Sequence, residues 1–244
     1  MNDKKYNLIP VAFLLAIGLI ITALIIGGTW RKVSRGSVTI TVTGSASKEI
    51  RSDLAVWHGS FSASATTLSD AYARLQAANN KVKDYLVSKG FSADKLKFSS
   101  INTTTQYLHN DKGVATTQVE SYRLSQDVSI ESPEVDKVDQ LSREATELIN
   151  QGVEFNSSPP EFLYTKLSDL KVEMIGLASK DAKVRAEQIA SSTDNKIGEV
   201  RSSKMGVIQI NAKNSTDVSD YGMNDVSSLD KTITAVVSMS FSIE

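Results

Sequence analysis

The sequence predicts an α+β protein: a mainly antiparallel sheet with three helices packed on it, preceded by one N-terminal transmembrane helix. Three observations predict it. One apolar run, Leu8–Gly28, lies near the N-terminus. Short segments of alternating apolar and polar residues follow, the last spanning Ile233–Ile243. Between them lie three stretches whose apolar residues recur every three or four positions.

The apolar run carries no charge between Lys5 and Arg31. Its 21 residues, rising about 1.5 Å each, cover roughly the 30 Å of a bilayer core. Pro10 falls in the first turn, where its missing N–H is harmless, and Trp30 falls at an interfacial depth. A cleaved signal peptide is the rival reading. Its small-x-small site would place Ile25 or Ile26 where a small residue belongs, so an uncleaved anchor is expected. Lys4 and Lys5 precede the run and Arg31, Lys32 and Arg35 follow it, so flanking charge does not choose an orientation. The expected division is residues 1–35 as anchor and flank and residues 36–244 as one α+β domain.

Val38, Ile40 and Val42 alternate with threonines as a first strand, and Gly44–Asp53 reads as a polar turn with positive φ at Gly44. Ala55, Trp57, Phe61 and Ala63 share one face of a second strand. A helix follows, capped by Thr67 or Ser69 and helped by Asp70, with the stripe Leu68, Ala71, Tyr72, Leu75, Ala78, Val82, Tyr85 and Leu86. Gly90 stops it, and Phe91 folds back. Residues 95–107 and 118–131 read as a hairpin closed by Asn110–Gly113. Ser132-Pro133 opens a second helix with Val135, Val138, Leu141, Ala145, Leu148 and Ile149 inward, ended by Gly152. Short strands flank Pro159-Pro160. A third helix, about Ser168–Ser191, presents Leu170, Met174, Leu177, Ala178, Ala182 and Ile189. Val207, Ile208 and Ile210 form a strand, residues 212–230 a long polar connection, and Ile233–Ile243 the closing strand.

Charge and composition narrow the function. Beyond residue 35 the chain carries 22 basic and 27 acidic residues, a net charge of −5. Such a domain is a poor binder of nucleic acid, whose phosphates need a basic surface. There are no cysteines, so disulfides, thiolate catalysis and cysteine-based zinc sites are excluded. The absence of nucleotide and nucleic-acid features, with the absence of cysteine, favours export across the membrane.

No catalytic, cofactor or metal constellation emerges. His58 reads as an exposed strand histidine and His109 as a turn histidine, and no carboxylate spacing converges on either. Ser-x-x-Lys occurs at Ser45–Lys48, Ser92–Lys95 and Ser168–Lys171 without the further motifs of a serine acyl-transfer site. Glu144, Glu147, Glu173 and Glu187 sit among Lys and Arg on polar helix faces. The connection 212–230 carries Tyr221, Met223, Val226 and Leu229; it is either a mobile loop or a segment that orders against a partner.

Val38–Ala46, Asp53-Leu54-Ala55, the alanine-rich helix Asp70–Gly90, Leu148–Phe155 and Thr232–Ile243 together resemble the SIMPL-domain family over about residues 37–244. That group includes periplasmic immunogenic and oxidative-stress-defence proteins. Its usual Gly-x-Gly turn and Pro-Asp pair are altered here, with Ala46 for the second glycine and Ser52 for the proline. The resemblance implies an extracytoplasmic α+β domain, homo-oligomerisation in some members and a role at the cell envelope. It implies no catalytic residues.

The expectation is therefore a non-enzymatic protein of the inner (cytoplasmic) membrane, single-pass, with its domain in the periplasm. It would self-associate and support envelope or oxidative-stress resistance, with an envelope protein as a possible partner and no cofactor. Two other classes stand beside it: a binding or sensory module using the 212–230 connection, and a hydrolase using Ser45 and Lys48.

Overall fold

The computed structural model describes residues 9–35 and 38–243. Lys4 and Lys5 lie outside the described residues, as do the side chains of Trp30, Arg31, Lys32 and Arg35. The fold is α+β, with four α-helices and two sheets among the described residues, where one sheet was expected. The chain divides into two compact units. One comprises Met1–Ser47, Lys171–Ile208 and Thr234–Glu244; the other comprises Lys48–Leu170 and Gln209–Ile233.

Helix α1 spans Ile9–Arg35. Its described side chains, residues 14–27, are exposed and apolar apart from Thr22, whose hydroxyl donates to the Gly18 carbonyl at 2.8 Å. Among the described residues no helix is long and apolar enough to cross a membrane.

In the first unit, strand β1 (Thr39–Arg51) runs straight through the segment expected to turn. Gly44 is not a turn residue. A Cβ built on it would lie 2.2 Å from the Ala178 carbonyl and 2.3 Å from the Ala182 nitrogen. The glycine is there because helix α4 (Leu167–Ser191) presses its backbone onto the strand. That helix buries Met174, Ala178, Ala182, Ala186 and Ala190, four residues apart, and leaves Leu177 and Ile189 exposed, against expectation. Small side chains permit the close approach that bulky ones would block. Strand β8 (Ile197–Met205), which the sequence pattern did not reveal, pairs antiparallel with β11 (Asp230–Ile243).

In the second unit, β2 (Leu54–Ala65) is the centre of a six-stranded sheet. It pairs antiparallel with β5 (Ala115–Ser132) on one side and with the short strands β6 (Glu154–Ser157) and β7 (Glu161–Leu163) on the other. The two strands beside Pro159-Pro160 thus pair with β2. Strands β3 (Lys97–Phe98) and β4 (Asn102–His109) line the other edge of β5.

Helix α2 (Leu68–Ser88) begins at Thr67, whose hydroxyl accepts the Asp70 amide at 3.2 Å. It buries Ala71, Leu75, Ala78, Val82, Tyr85 and Leu86, while Leu68 and Tyr72 face solvent. Gly90, at φ +86°, reverses the chain so that buried Phe91 caps the last turn. Helix α3 (Val135–Glu144) tightens into a 3₁₀ turn through Gln151, buries its expected stripe except Ile149, and stops at Gly152. The core of this unit is centred on Trp57. Its indole N–H donates to the Ser157 hydroxyl at 3.0 Å, and that hydroxyl donates to the Ser142 carbonyl at 2.7 Å. Its ring stacks on Phe155 at 6.1 Å. Buried Trp seldom leaves its N–H unpaired.

Candidate functional site

Most residues that chemistry would single out occupy structural positions. His58 is exposed on β2, and His109 is exposed at the hairpin end. No group of three or more His, Cys, Asp or Glu that could hold a metal occurs among the described residues. Ser45 and Lys48, three residues apart on one strand, point to opposite faces, so they cannot meet as a nucleophile and base. Ser92 precedes a single 3₁₀ turn containing Lys95, and Ser168 and Lys171 lie in the first turn of α4. Glu144 and Glu147 both engage Lys89, at 2.6 and 3.3 Å, and Glu187 pairs with Lys183 at 3.7 Å. The hydrogen bond that the Lys89 ammonium donates to Glu144 holds that ammonium above its ordinary range, and the same bond holds Glu144 below its own.

Two features remain. The first is an arm. Strand β2 ends its pairing at Ala65 opposite Tyr122, yet β4 and β5 continue as a two-stranded ribbon from Gln106 opposite Ser121 to the Asn110–Gly113 turn. Asn110 organises that turn, its carboxamide oxygen accepting the amides of Lys112 and Val114 at 3.0 Å each. Tyr107 lies directly opposite Val119; the two are 43% and 40% exposed, and Val114 is 58% exposed. Strand β4 pairs with no described strand but β5, so its outer edge presents free backbone donors and acceptors. A two-stranded ribbon with exposed apolar residues is marginal alone.

The second feature is a cavity of about 270 Å³ in the second unit. Leu54, Phe162, Leu167, Ile210 and Val226 make its apolar wall, with Tyr164, Thr165, Asn224 and Lys231 as polar members. Lys231 is only 2% exposed, and its ammonium donates to the Phe162 carbonyl at 2.5 Å. Burial pushes the Lys231 amine below its ordinary range, against the partial opposition of the Asp225 charge. Burial pushes Asp225 upward, but hydrogen bonds from Ser228 and Ser227 and the Lys231 charge outweigh it and hold the carboxyl low. A larger hollow of about 360 Å³, lined by Arg74, Lys81 and Glu154, is a weaker candidate. Its cations already donate to main-chain carbonyls, Arg74 to Ser64 at 3.0 Å and Lys81 to Gln151 at 2.7 Å.

The 212–230 connection closes over the cavity's strand. Strand β9 (Gln209–Ala212) pairs parallel with β10 (Met223–Asn224), and β10 brings Asn224 to the wall. Gln209 and Asn211 donate to the Ser219 and Asp217 carbonyls at 2.6 Å each, and the Asp225 amide donates to Ile210 at 2.9 Å. The Val226 and Leu229 carbonyls accept the Phe162 and Ser52 amides at 2.7 and 2.9 Å. The connection is therefore stitched to its own unit. Met223, Val226 and Leu229 are half-buried, and Tyr221 is 97% exposed.

Sequence reasoning missed Lys231, although a signal existed. Lys231 has the same parity as Ile233, Ala235 and Val237, all buried, so the closing alternation already placed a lysine on an apolar face.

A family model matches residues 40–241: SIMPL, described as a protein of unknown function (DUF541). No curated protein matches the chain.

Proposed function

As the chain belongs to the SIMPL family, we propose that it is a non-enzymatic, membrane-anchored cell-envelope protein that self-associates and supports envelope or oxidative-stress resistance. In this reading α1 seats in the inner (cytoplasmic) membrane and the rest of the chain lies in the periplasm. The apolar, exposed side chains of residues 14–27 support the anchor. The stress role derives from the likeness to oxidative-stress-defence proteins.

The observation that carries self-association is the β4–β5 arm. It offers an unpaired strand edge together with the exposed Tyr107–Val119 pair, the two ingredients of strand addition between chains. The test is the native mass of the full chain in detergent, by light scattering, for the natural protein and for a Tyr107→Ser/Val119→Ser variant. A discrete multimer that the variant loses supports the reading. A monomeric natural protein overturns it.

A second reading is a binding or sensory module for a small ligand or a partner protein. The cavity beside Lys231 favours it. A saturable rise in melting temperature with one member of a ligand panel is its expected signature.

A further inference from the structure

Lys231 stands apart in the second unit. It is 2% exposed, it lines a mostly apolar cavity, and its nitrogen touches a neutral carbonyl, that of Phe162 at 2.5 Å. A buried cation normally sits against a carboxylate that neutralises it at contact distance. Here no described carboxylate lies within ion-pair range, and Asp225 acts on it only through its longer-range charge. An amine placed in this way has a nearby acceptor for one N–H and an apolar space in front of it.

Two ligand chemistries could use such a site. A carboxylate needs a net positive cavity, but Asp225 offsets the Lys231 charge, and the other polar lining residues, Tyr164, Thr165 and Asn224, are neutral, with the Thr165 hydroxyl already donating to Asp53 at 2.8 Å. A neutral carbonyl compound needs no net charge; it needs an amine that can shed its proton and a wall that accepts a short hydrocarbon chain. Leu54, Phe162, Leu167, Ile210 and Val226 supply that wall. The volume, about 270 Å³, lies just below the roughly 300–1,000 Å³ of common small-molecule sites, so the chain is short. Exposed Thr165 and Asn224 on the lining mark the open side.

We propose that the Lys231 cavity captures short apolar aldehydes as an imine on Nζ. The neutral amine adds its lone pair to the aldehyde carbon, forming an N–C bond. The C=O π bond breaks, and one proton passes from nitrogen to the former carbonyl oxygen to give a carbinolamine. Its hydroxyl then leaves with the remaining N–H proton as water, and the C=N bond closes. No electrons are exchanged with any other group, so no oxidant or reductant is required. Before the addition, the Phe162 carbonyl holds one N–H of the amine and so directs its lone pair; that proton is the one that later leaves with the water. Burial favours the neutral amine that the addition needs. The proposal is independent of self-association, because no residue of the β4–β5 arm lines the cavity.

The test uses the full chain in detergent, hexanal as the probe and cyanoborohydride to fix any imine, followed by peptide mapping. Lys231 is expected to be labelled about tenfold faster than the exposed Lys97 and Lys183, despite its burial. Acetate in excess should not slow the labelling, which separates the aldehyde from a carboxylate ligand. Because Lys231→Met could disturb the fold, a second variant, Val226→Phe, keeps the lysine and fills the cavity. It should reduce Lys231 labelling to the background of the exposed lysines while the circular dichroism stays unchanged. Labelling that follows surface exposure and spares Lys231 overturns the proposal, as does Lys231 labelling that survives the filled cavity. Native mass is read separately, so failure here and failure of self-association remain distinguishable.

Discussion

The Ser45 backbone amide on β1 donates to the Asp181 carboxylate on α4 at 2.8 Å, and Arg185 holds the same carboxylate oxygen at 2.8 Å from the other side. One side chain thus satisfies a strand N–H that α4 would otherwise leave beside its own backbone. The bond from Ser45 holds the Asp181 carboxyl below its ordinary range, with Arg185 adding to it.

The first prediction concerns acid stability. A carboxyl whose folded pKa lies below its unfolded value adds stability that is complete above the ordinary pKa near 3.8 and is lost as pH falls through the folded pKa. Asp181→Ala should therefore melt lower than the natural chain at pH 7, with the gap closing as pH falls below that value. A gap that does not change with pH would mean that lost packing, not the carboxylate, sets the difference.

Gly44 gives the second prediction. A Cβ there meets the α4 backbone at 2.2 Å, and backbone cannot swing aside as a flexible side chain can. Gly44→Ala should destabilise the fold at the upper end of the roughly 1–3 kcal/mol typical of overpacking, or beyond it. Gly18→Ala, with nothing within 4 Å of its Cβ, is the control for a glycine with no close contact. Urea midpoints of the two variants check it.

Trp57 gives the third. Ser157→Ala removes the acceptor of a fully buried indole N–H and costs about 1–3 kcal/mol. Ser157→Thr keeps the hydroxyl and should recover most of that loss. Near-ultraviolet circular dichroism of Trp57 reports whether the ring has shifted.

Much of this fold was legible because local chemistry and tertiary need agree. Thr67, Gly90 and Gly152 mark helix ends exactly where apolar periodicity changes, and Trp57, Phe61 and Ala55 alternate inward as a half-buried strand should. The failures have physical causes. Gly44 looked like a turn because its true reason, the alanine ridge of α4, lies more than a hundred residues away in sequence. Strand β8 is exposed over most of its length on both faces, so no alternation marks it. Tyr72, Leu177 and Ile189 have helical spacing, but the buried stripe passes beside them, and exposed apolar residues are common on any protein surface. The arm was legible as a hairpin, but not its extension past the sheet, because that depends on where β2 stops. Lys231 was legible in parity and hidden by its chemistry, since a lysine at a strand start is ordinarily solvated.

The central claim is that copies of this chain meet through the arm, and the chain's lack of cysteine makes a direct measurement possible. A Val119→Cys variant carries one thiol, at an exposed point opposite Tyr107. Expressed at its natural level and oxidised in intact membranes, it should give a disulfide-linked dimer on a non-reducing gel. Val172→Cys, 72% exposed on α4, should remain monomeric under the same treatment. A V119C chain that stays monomeric, or a V172C chain that links equally well, would contradict the arm as the contact between copies.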